Sequence, residues 1–159
     1  MTATTLDIVT QSPDESAGLA VRLGARLKAG DCVLLSGPIG AGKTHMARAL
    51  IQSLLEFAED VPSPTFTLVQ TYDTRAGPLW HADLYRLTGP NEMEELGLSD
   101  AFDSAICLVE WPDRLGPDAP DHALLLELAP DADIEHRRKL TFTWSDPKWG
   151  EPVRDLTHD

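Results

Sequence analysis

Cysteine, positive charge and long apolar runs are all scarce in this chain of 159 residues. Its two cysteines, Cys32 and Cys107, form no C-x-x-C or Cys/His pattern, so we expect reduced core residues rather than a disulfide or a zinc site. No apolar run approaches the length of a membrane span, and the start of the sequence has no basic region followed by an apolar one. We therefore expect a cytoplasmic protein without a membrane anchor or an export signal.

Basic residues are outnumbered two to one, with 13 Lys plus Arg against 26 Asp plus Glu and a formal net charge of −13. A protein that holds nucleic acid alone normally shows the opposite balance, because Lys and Arg contacts to phosphates supply most of the non-specific affinity. If RNA takes part in the function, we expect a partner protein to hold it.

The chain does contain one complete phosphate-binding motif. An apolar run from Cys32 to Leu35 leads into GPIGAGKT, which matches G-x-x-x-x-G-K-[ST] at every fixed position, and a helical pattern follows. Lys43 is predicted to reach the β- and γ-phosphates, and the Thr44 hydroxyl to ligate magnesium. Glycines let backbone N–H groups converge on phosphate oxygens. The predicted nucleotide-binding residues of the loop are Ile39, Gly40, Ala41, Gly42, Lys43 and Thr44.

Strand and helix patterns surround this motif. Before it, we expect an edge strand over Thr4 to Val9 and a helix that begins at Ser12 and stops before Gly30. After it, we expect a helix from Lys43 to near Phe57–Asp60, a hairpin of Ser63–Asp73 and Leu79–Tyr85, helical pieces at Asn91–Leu96 and Ser99–Phe102, and strands at Ala105–Trp111, His122–Leu128 and Lys139–Trp144. The fold class predicted is α/β: a three-layer P-loop NTPase sandwich whose mixed central sheet is parallel in the middle and antiparallel at its edges. We expect one domain over residues 1–145 and a polar, flexible tail over residues 146–159.

Hydrolysis requires an acid beside the P-loop. Glu110 ends an apolar strand, at the sheet edge where ligands bind in open α/β folds, and Asp83 of the segment HADLYR is the second candidate. With Lys43, these acids are the predicted catalytic residues. Strand alternation places His81, Asp83 and Tyr85 on one face, although a solvated hairpin face gives the same pattern. Thr65 is interpreted either as a switch hydroxyl that senses the γ-phosphate or as a plain strand-start threonine.

Five segments together, GPIGAGKT, SPTFTLVQTY, HADLYRL, ELGL and CLVEWPDRLG, resemble the TsaE family (formerly YjeE) over about Ser12 to Gly116. These are small bacterial ATPases that support threonylcarbamoyladenosine modification of tRNA. The resemblance implies ATP and Mg²⁺ as cofactors, with Lys43 and Thr44 binding them, Glu110 assisting the metal and Asp83 bordering the site. It also implies TsaB and TsaD as protein partners, with tRNA reached only through them.

Three other functions are weighed against this one. A small-molecule kinase is disfavoured because no Arg-rich insertion of lid length is visible. The segment Asp113–Gly116 spells the D-x-x-G of a regulatory GTPase, but no N-K-x-D follows it. A nucleotide-gated binding module, in which hydrolysis is incidental, would carry the same motifs. We expect a magnesium-dependent ATPase that is slow without its partners, because neither an arginine finger nor a catalytic-base element is evident.

Overall fold

The computed structural model describes residues 2–57, 61, 69–86 and 96–157. Within these residues, helices cover both faces of a seven-stranded sheet. The strands are β1 (Thr4–Thr10), β2 (Cys32–Ser36), β3 (Val69–Thr74), β4 (Gly77–Asp83), β5 (Ile106–Glu110), β6 (Leu124–Pro130) and β7 (Arg138–Trp144). The α-helices are α1 (Pro13–Gly24), α2 (Lys43–Leu54), α3 (Leu98–Ser104) and α4 (Gly150–Arg154), and 3-10 helices span Pro112–Asp118, Pro147–Trp149 and Asp155–Thr157.

The sheet is mixed, with parallel strands at its centre and antiparallel strands at its edges. Its strand order is β1-β7-β6-β2-β5-β4-β3. Strands β6, β2, β5 and β4 are parallel neighbours, whereas β1, β7 and β6 pair antiparallel at one edge and β4 and β3 at the other. The central strands are almost wholly apolar because both of their faces are covered. The predicted α/β sandwich with a mixed sheet is confirmed, and β1 is an edge strand as expected.

Two apolar clusters, one on each face, hold the helices to the sheet. On one face α1 and α2 pack over Leu35 and Leu108, and on the other face α3 packs over Leu34 and Val109. Successive side chains of a strand point to opposite faces, so β2 and β5 contribute to both clusters. This alternation decides on which face a polar residue at the end of β5 emerges.

The two cysteines lie side by side in the central strands. Cys32 of β2 and Cys107 of β5 are register partners, and both are buried free thiols. Burial raises the pKa of both thiols, that of Cys107 to about 12. The prediction that both are core residues is confirmed.

Helix boundaries follow local capping and tertiary contacts. The Ser12 hydroxyl accepts a hydrogen bond from the Glu15 backbone N–H at 3.1 Å, so α1 begins where predicted. Helix α2 ends at Leu54, before the predicted end at Phe57–Asp60, because Leu55 turns extended and forms a β-bridge with Thr74. Within the described part of the chain, no helix has both the length and the apolar character that a bilayer crossing requires.

The prediction of a flexible tail over residues 146–159 is wrong for residues 147–157. Trp149, Val153 and Leu156 are buried in the same cluster as α1 and α2. The Trp149 indole Nε1–H donates a hydrogen bond to the His122 carbonyl oxygen at 2.7 Å. The prediction followed the polar composition of this segment and overlooked its three apolar side chains, whose spacing of four and three residues is helical.

Candidate functional site

The phosphate-binding motif connects the end of β2 to the start of α2, as predicted. Glycine is required at two of its fixed positions. A Cβ atom on Gly37 would lie 2.6 Å from the Leu128 carbonyl oxygen, and Gly42, the N-cap of α2, has a φ of +106°. The first N–H groups of α2 have no partner within the helix and form its positive end. The loop therefore brings backbone N–H groups and a helix N-terminus to one place, as anion binding requires.

Strand β7 supports this loop from the side away from β5. The Arg138 Nε–H donates a hydrogen bond to the Ala41 carbonyl oxygen at 3.0 Å. Ala41 itself is buried beneath the loop. Arg138 was not among the predicted site residues, since its contact with the loop depends on the position of β7 in the sheet.

Lys43 is drawn inward over the loop. Its ammonium donates hydrogen bonds to the carbonyl oxygens of Gly37 at 2.6 Å and Pro38 at 3.0 Å, and only 5% of the residue is exposed. Burial lowers the pKa of Lys43, while the nearby carboxylates of Glu110 and Asp83 act in the opposite direction. One cation and two acids thus share the site at the end of β2.

Glu110 is buried and hydrogen-bonded through both carboxylate oxygens. The Thr44 hydroxyl donates to Oε1 at 2.7 Å, and His81 Nε2 lies 2.7 Å from Oε2. Glu110 ends β5, and its side chain emerges on the same face as α2 because strand alternation places it with Leu108. The two predicted magnesium ligands, Thr44 and Glu110, therefore lie together at the start of α2.

Asp83 lies beside Glu110 on the adjacent strand. The two residues are register partners at the ends of the parallel strands β4 and β5. Asp83 Oδ1 accepts a hydrogen bond from the Tyr85 backbone N–H at 3.0 Å. Burial raises the pKa of Asp83 and the Glu110 carboxylate adds to this rise, whereas the Tyr85 N–H, His81 and Lys43 oppose it.

The predicted common face of HADLYR is confirmed for two of its three residues. His81 and Asp83 point to the same side of β4, but the strand ends at Asp83 and Tyr85 lies in the turn that follows. The alternative of a solvated hairpin face is wrong, because His81 is fully buried.

An open cavity of about 440 Å³ unites these groups. Seven predicted site residues line it, and four other residues join them. The seven are Ile39, Gly40, Gly42, Lys43, Thr44, Asp83 and Glu110, and the four are His45, Tyr85, Arg86 and Trp111. Thr65 lies outside the described residues, so its predicted role stays a prediction. The volume, and the few charged and polar groups set among apolar surface, are those of a small-molecule site.

The contacts that Trp111 and His81 make at the site were not predicted from the sequence. Trp111 adopts a left-handed backbone conformation with a φ of +60°. The centroid of its ring lies 4.2 Å from the Lys43 ammonium nitrogen and 4.9 Å from the centroid of the Tyr85 ring. The contact of His81 with Glu110 was also missed, because it depends on the parallel register of β4 and β5.

The donor atoms at the start of α2 fit a magnesium ion. Thr44 Oγ1 and Glu110 Oε1 are both oxygen ligands and lie 2.7 Å apart. Magnesium is commonly bound by one or two protein oxygens together with phosphate oxygens and water. These two residues would therefore suit a magnesium ion as protein ligands.

Comparison with known proteins places the chain in one family. The family model described as "Threonylcarbamoyl adenosine biosynthesis protein TsaE" matches residues 10–140, which extends past Gly116, where the resemblance seen in the sequence ends. A TsaE protein of Bacillus subtilis is 36% identical over 135 residues, covering 84% of this chain and 82% of that protein. A TsaE protein of Rickettsia felis is 40% identical over 104 residues, covering 65% of this chain and 61% of the relative's length.

A solved structure shares the whole architecture. The crystal structure of Bacillus subtilis YdiB superimposes with a TM-score of 0.77 at 27% sequence identity, and the match covers 99% of this chain and 97% of that one. The family model and the relatives carry the same family name. The chain belongs to the TsaE family of threonylcarbamoyl adenosine biosynthesis proteins.

Proposed function

We propose that this chain is a magnesium-dependent ATP hydrolase that acts in the threonylcarbamoyladenosine modification of tRNA, in a complex with TsaB and TsaD. The observation that carries the hydrolase part is the 2.7 Å contact between Thr44 Oγ1 and Glu110 Oε1 beside the P-loop lysine. It joins a phosphate-binding loop to an acid from a neighbouring strand, which is what a P-loop hydrolase needs to hold its metal. Membership of the TsaE family supports the pathway.

Each residue of the site has a role that follows from its position. The first N–H groups of α2 and the Lys43 ammonium would bind phosphate oxygens, with Lys43 exchanging its carbonyl partners for them. Thr44 and Glu110 would hold magnesium, which when bound neutralises charge on the phosphates. Asp83, facing the cavity across from Glu110, would orient the attacking water and accept its proton, and burial already raises its proton affinity.

Partner proteins complete the proposal. The net charge of −13 opposes direct binding to the tRNA backbone, so the TsaB and TsaD proteins would carry the tRNA. Hydrolysis would be slow in the isolated chain and faster in the complex, where it would reset the transferase between turnovers. The scarcity and burial of cysteine favour the cytoplasm as the place of action.

The test is ATP hydrolysis by the chain alone and with TsaB and TsaD, beside a Lys43→Ala control. We expect low activity that rises with the partners, together with threonylcarbamoyladenosine formed on added tRNA, and loss of both in the control. Activity that ignores the partners, or that depends on a small-molecule acceptor, would contradict the proposal and favour a kinase.

A further inference from the structure

His81 is a fully buried histidine with one engaged ring nitrogen. Its Nε2 lies 2.7 Å from Glu110 Oε2, and its exposed fraction is zero. Its other nitrogen, Nδ1, is buried and has no hydrogen-bond partner among the described residues. Within the described part of the chain the ring therefore has a single polar contact, which is with the acid proposed to hold the metal.

The direction of this hydrogen bond follows from the chemistry of its partners. A glutamate that binds a metal is a carboxylate, which can only accept hydrogen bonds, so in that form its partner His81 Nε2–H is the donor of the bond to Oε2. A carboxylate that is 2% exposed needs such donors, because an unsatisfied buried charge is costly. Glu110 has one donor for each oxygen: the Thr44 hydroxyl for Oε1 and His81 for Oε2.

Two donors on opposite sides of a carboxylate fix the plane in which it lies. A glutamate has three rotatable side-chain bonds. With a single hydrogen bond from Thr44 to Oε1, the carboxylate could still rotate and Oε2 would have no fixed position. Because Oε2 is turned toward His81, Oε1 is the oxygen that faces Thr44, the other predicted magnesium ligand. Hydrogen bonds to metal-binding carboxylates commonly orient the ligand in this way.

We propose that His81 is a positioning residue for Glu110, which fixes Oε2 so that Oε1 is presented with Thr44 to the magnesium ion. The identity of the ion rests on the function proposed above, but the hydrogen bond itself belongs to the free protein. A histidine that only filled the core would contribute to folding stability and leave the magnesium requirement unchanged. The two roles therefore differ in what a substitution changes.

The chain offers a matched pair of variants at this position. In His81→Gln the side-chain amide nitrogen reaches the place of Nε2 and can still donate to Glu110, whereas in His81→Asn it falls near the place of Nδ1. Both variants bury one amide, so a difference between them reports the position of the donor. Melting temperatures of both variants show whether each is folded.

The first measurement is binding of a fluorescent ADP analogue in excess EDTA and across a magnesium titration. We expect His81→Asn to raise the half-saturating magnesium concentration by about tenfold or more, with binding in EDTA unchanged, and His81→Gln to recover most of this loss. A wild-type magnesium requirement in a folded His81→Asn variant would overturn the positioning role. Equal losses in both variants would overturn it as well.

The second measurement needs no ligand. Nitrogen-15 NMR of the histidines in the free wild-type protein should show a protonated Nε2 on His81, and the proton signal of this bond should shift in Glu110→Ala. A bare Nε2 would overturn the inference even if the variants fail to fold. If nucleotide binding by the wild-type protein ignores magnesium, the proposed function fails and so does the metal-directed role of His81, whatever the state of the hydrogen bond.

Discussion

The Lys43 ammonium lies 4.2 Å from the centroid of the Trp111 ring and donates hydrogen bonds to the carbonyl oxygens of Gly37 and Pro38. The face of an indole ring attracts a cation, most strongly where water is excluded. A phosphate that draws Lys43 toward itself would therefore change the electrostatic surroundings of the Trp111 ring.

Nucleotide binding is consequently expected to change the tryptophan fluorescence of the protein, and Trp111→Phe should abolish this change. The chain has four tryptophans, so a control is needed. Trp144→Phe, on β7 and in contact with Arg154 rather than Lys43, should keep the response. The measurement is an emission titration with ADP and magnesium, and a full response in Trp111→Phe would contradict the expected link.

Glu110→Gln should lower the rate of ATP hydrolysis by about a hundredfold or more, because it removes the charge that we propose holds the metal. The amide oxygen can still accept the hydrogen bond from Thr44, so nucleotide binding in EDTA should persist. The measurement is steady-state hydrolysis beside ADP binding, each in the presence of TsaB and TsaD.

The same variant separates an ATPase from a nucleotide-gated binding module. If Glu110→Gln abolishes hydrolysis but leaves both partner binding and tRNA modification intact, hydrolysis is incidental to the function. Loss of repeated turnovers of the modification reaction, with partner binding retained, is the expected result.

Asp83→Asn is expected to stabilise the free protein at neutral pH while it impairs hydrolysis. Burial raises the pKa of Asp83 above its ordinary value of 3.8. Between that value and the raised pKa, the folded state binds more protons than the unfolded state, so the free energy of unfolding falls as the pH rises. The amide mimics the protonated acid. Its advantage should be largest above the raised pKa and shrink as the pH falls toward 3.8.

Urea unfolding of wild type and Asp83→Asn across this pH range measures the effect. Asp113→Asn, at an exposed position in the 3-10 helix after β5, removes the same charge outside the cavity and should show no such trend. A destabilised Asp83→Asn variant at neutral pH would contradict the assignment of burial as the cause of the shift.

Trp149→Ala should cost about 3–5 kcal/mol of unfolding free energy, the range for deleting a large buried aromatic side chain. Glu151→Ala, two residues away, removes an exposed ion pair with Arg26 at 3.6 Å and should cost less than about 1 kcal/mol. Chemical denaturation measures both changes. Similar small costs for the two variants would mean that the segment 147–157 adds little to the fold.

The P-loop was predictable from the sequence because its determinants are local. Gly37, Gly42, Lys43 and Thr44 lie within eight residues, and the strand before them and the helix after them are set by short-range patterns. Glu110 and Asp83 were also found, since the end of an apolar strand can be recognised without knowing its neighbours. These features need no information about which strands pair.

The other features depend on pairing and packing between distant parts of the chain. His81 meets Glu110 only because β4 and β5 run parallel in one register, and no spacing in the sequence encodes that contact. Leu55 leaves helix α2 to bridge Thr74, which local helix propensity does not predict. Trp149 is buried because it packs in the apolar cluster that also contains residues of α1 and the sheet, although its neighbours in the sequence are polar.

Cys32 and Cys107 are register partners on the two strands that end in the P-loop and in Glu110. Only a thiolate reacts with alkylating reagents, and burial withholds both sulfurs from solvent and from ionisation. Thiol labelling of the native protein then requires local separation of β2 and β5, so the labelling rate reports how often this part of the site opens. The chain has no third cysteine, so labelling reports these two positions without an engineered probe. A ligand that stabilises the site against local opening should lower the labelling rate.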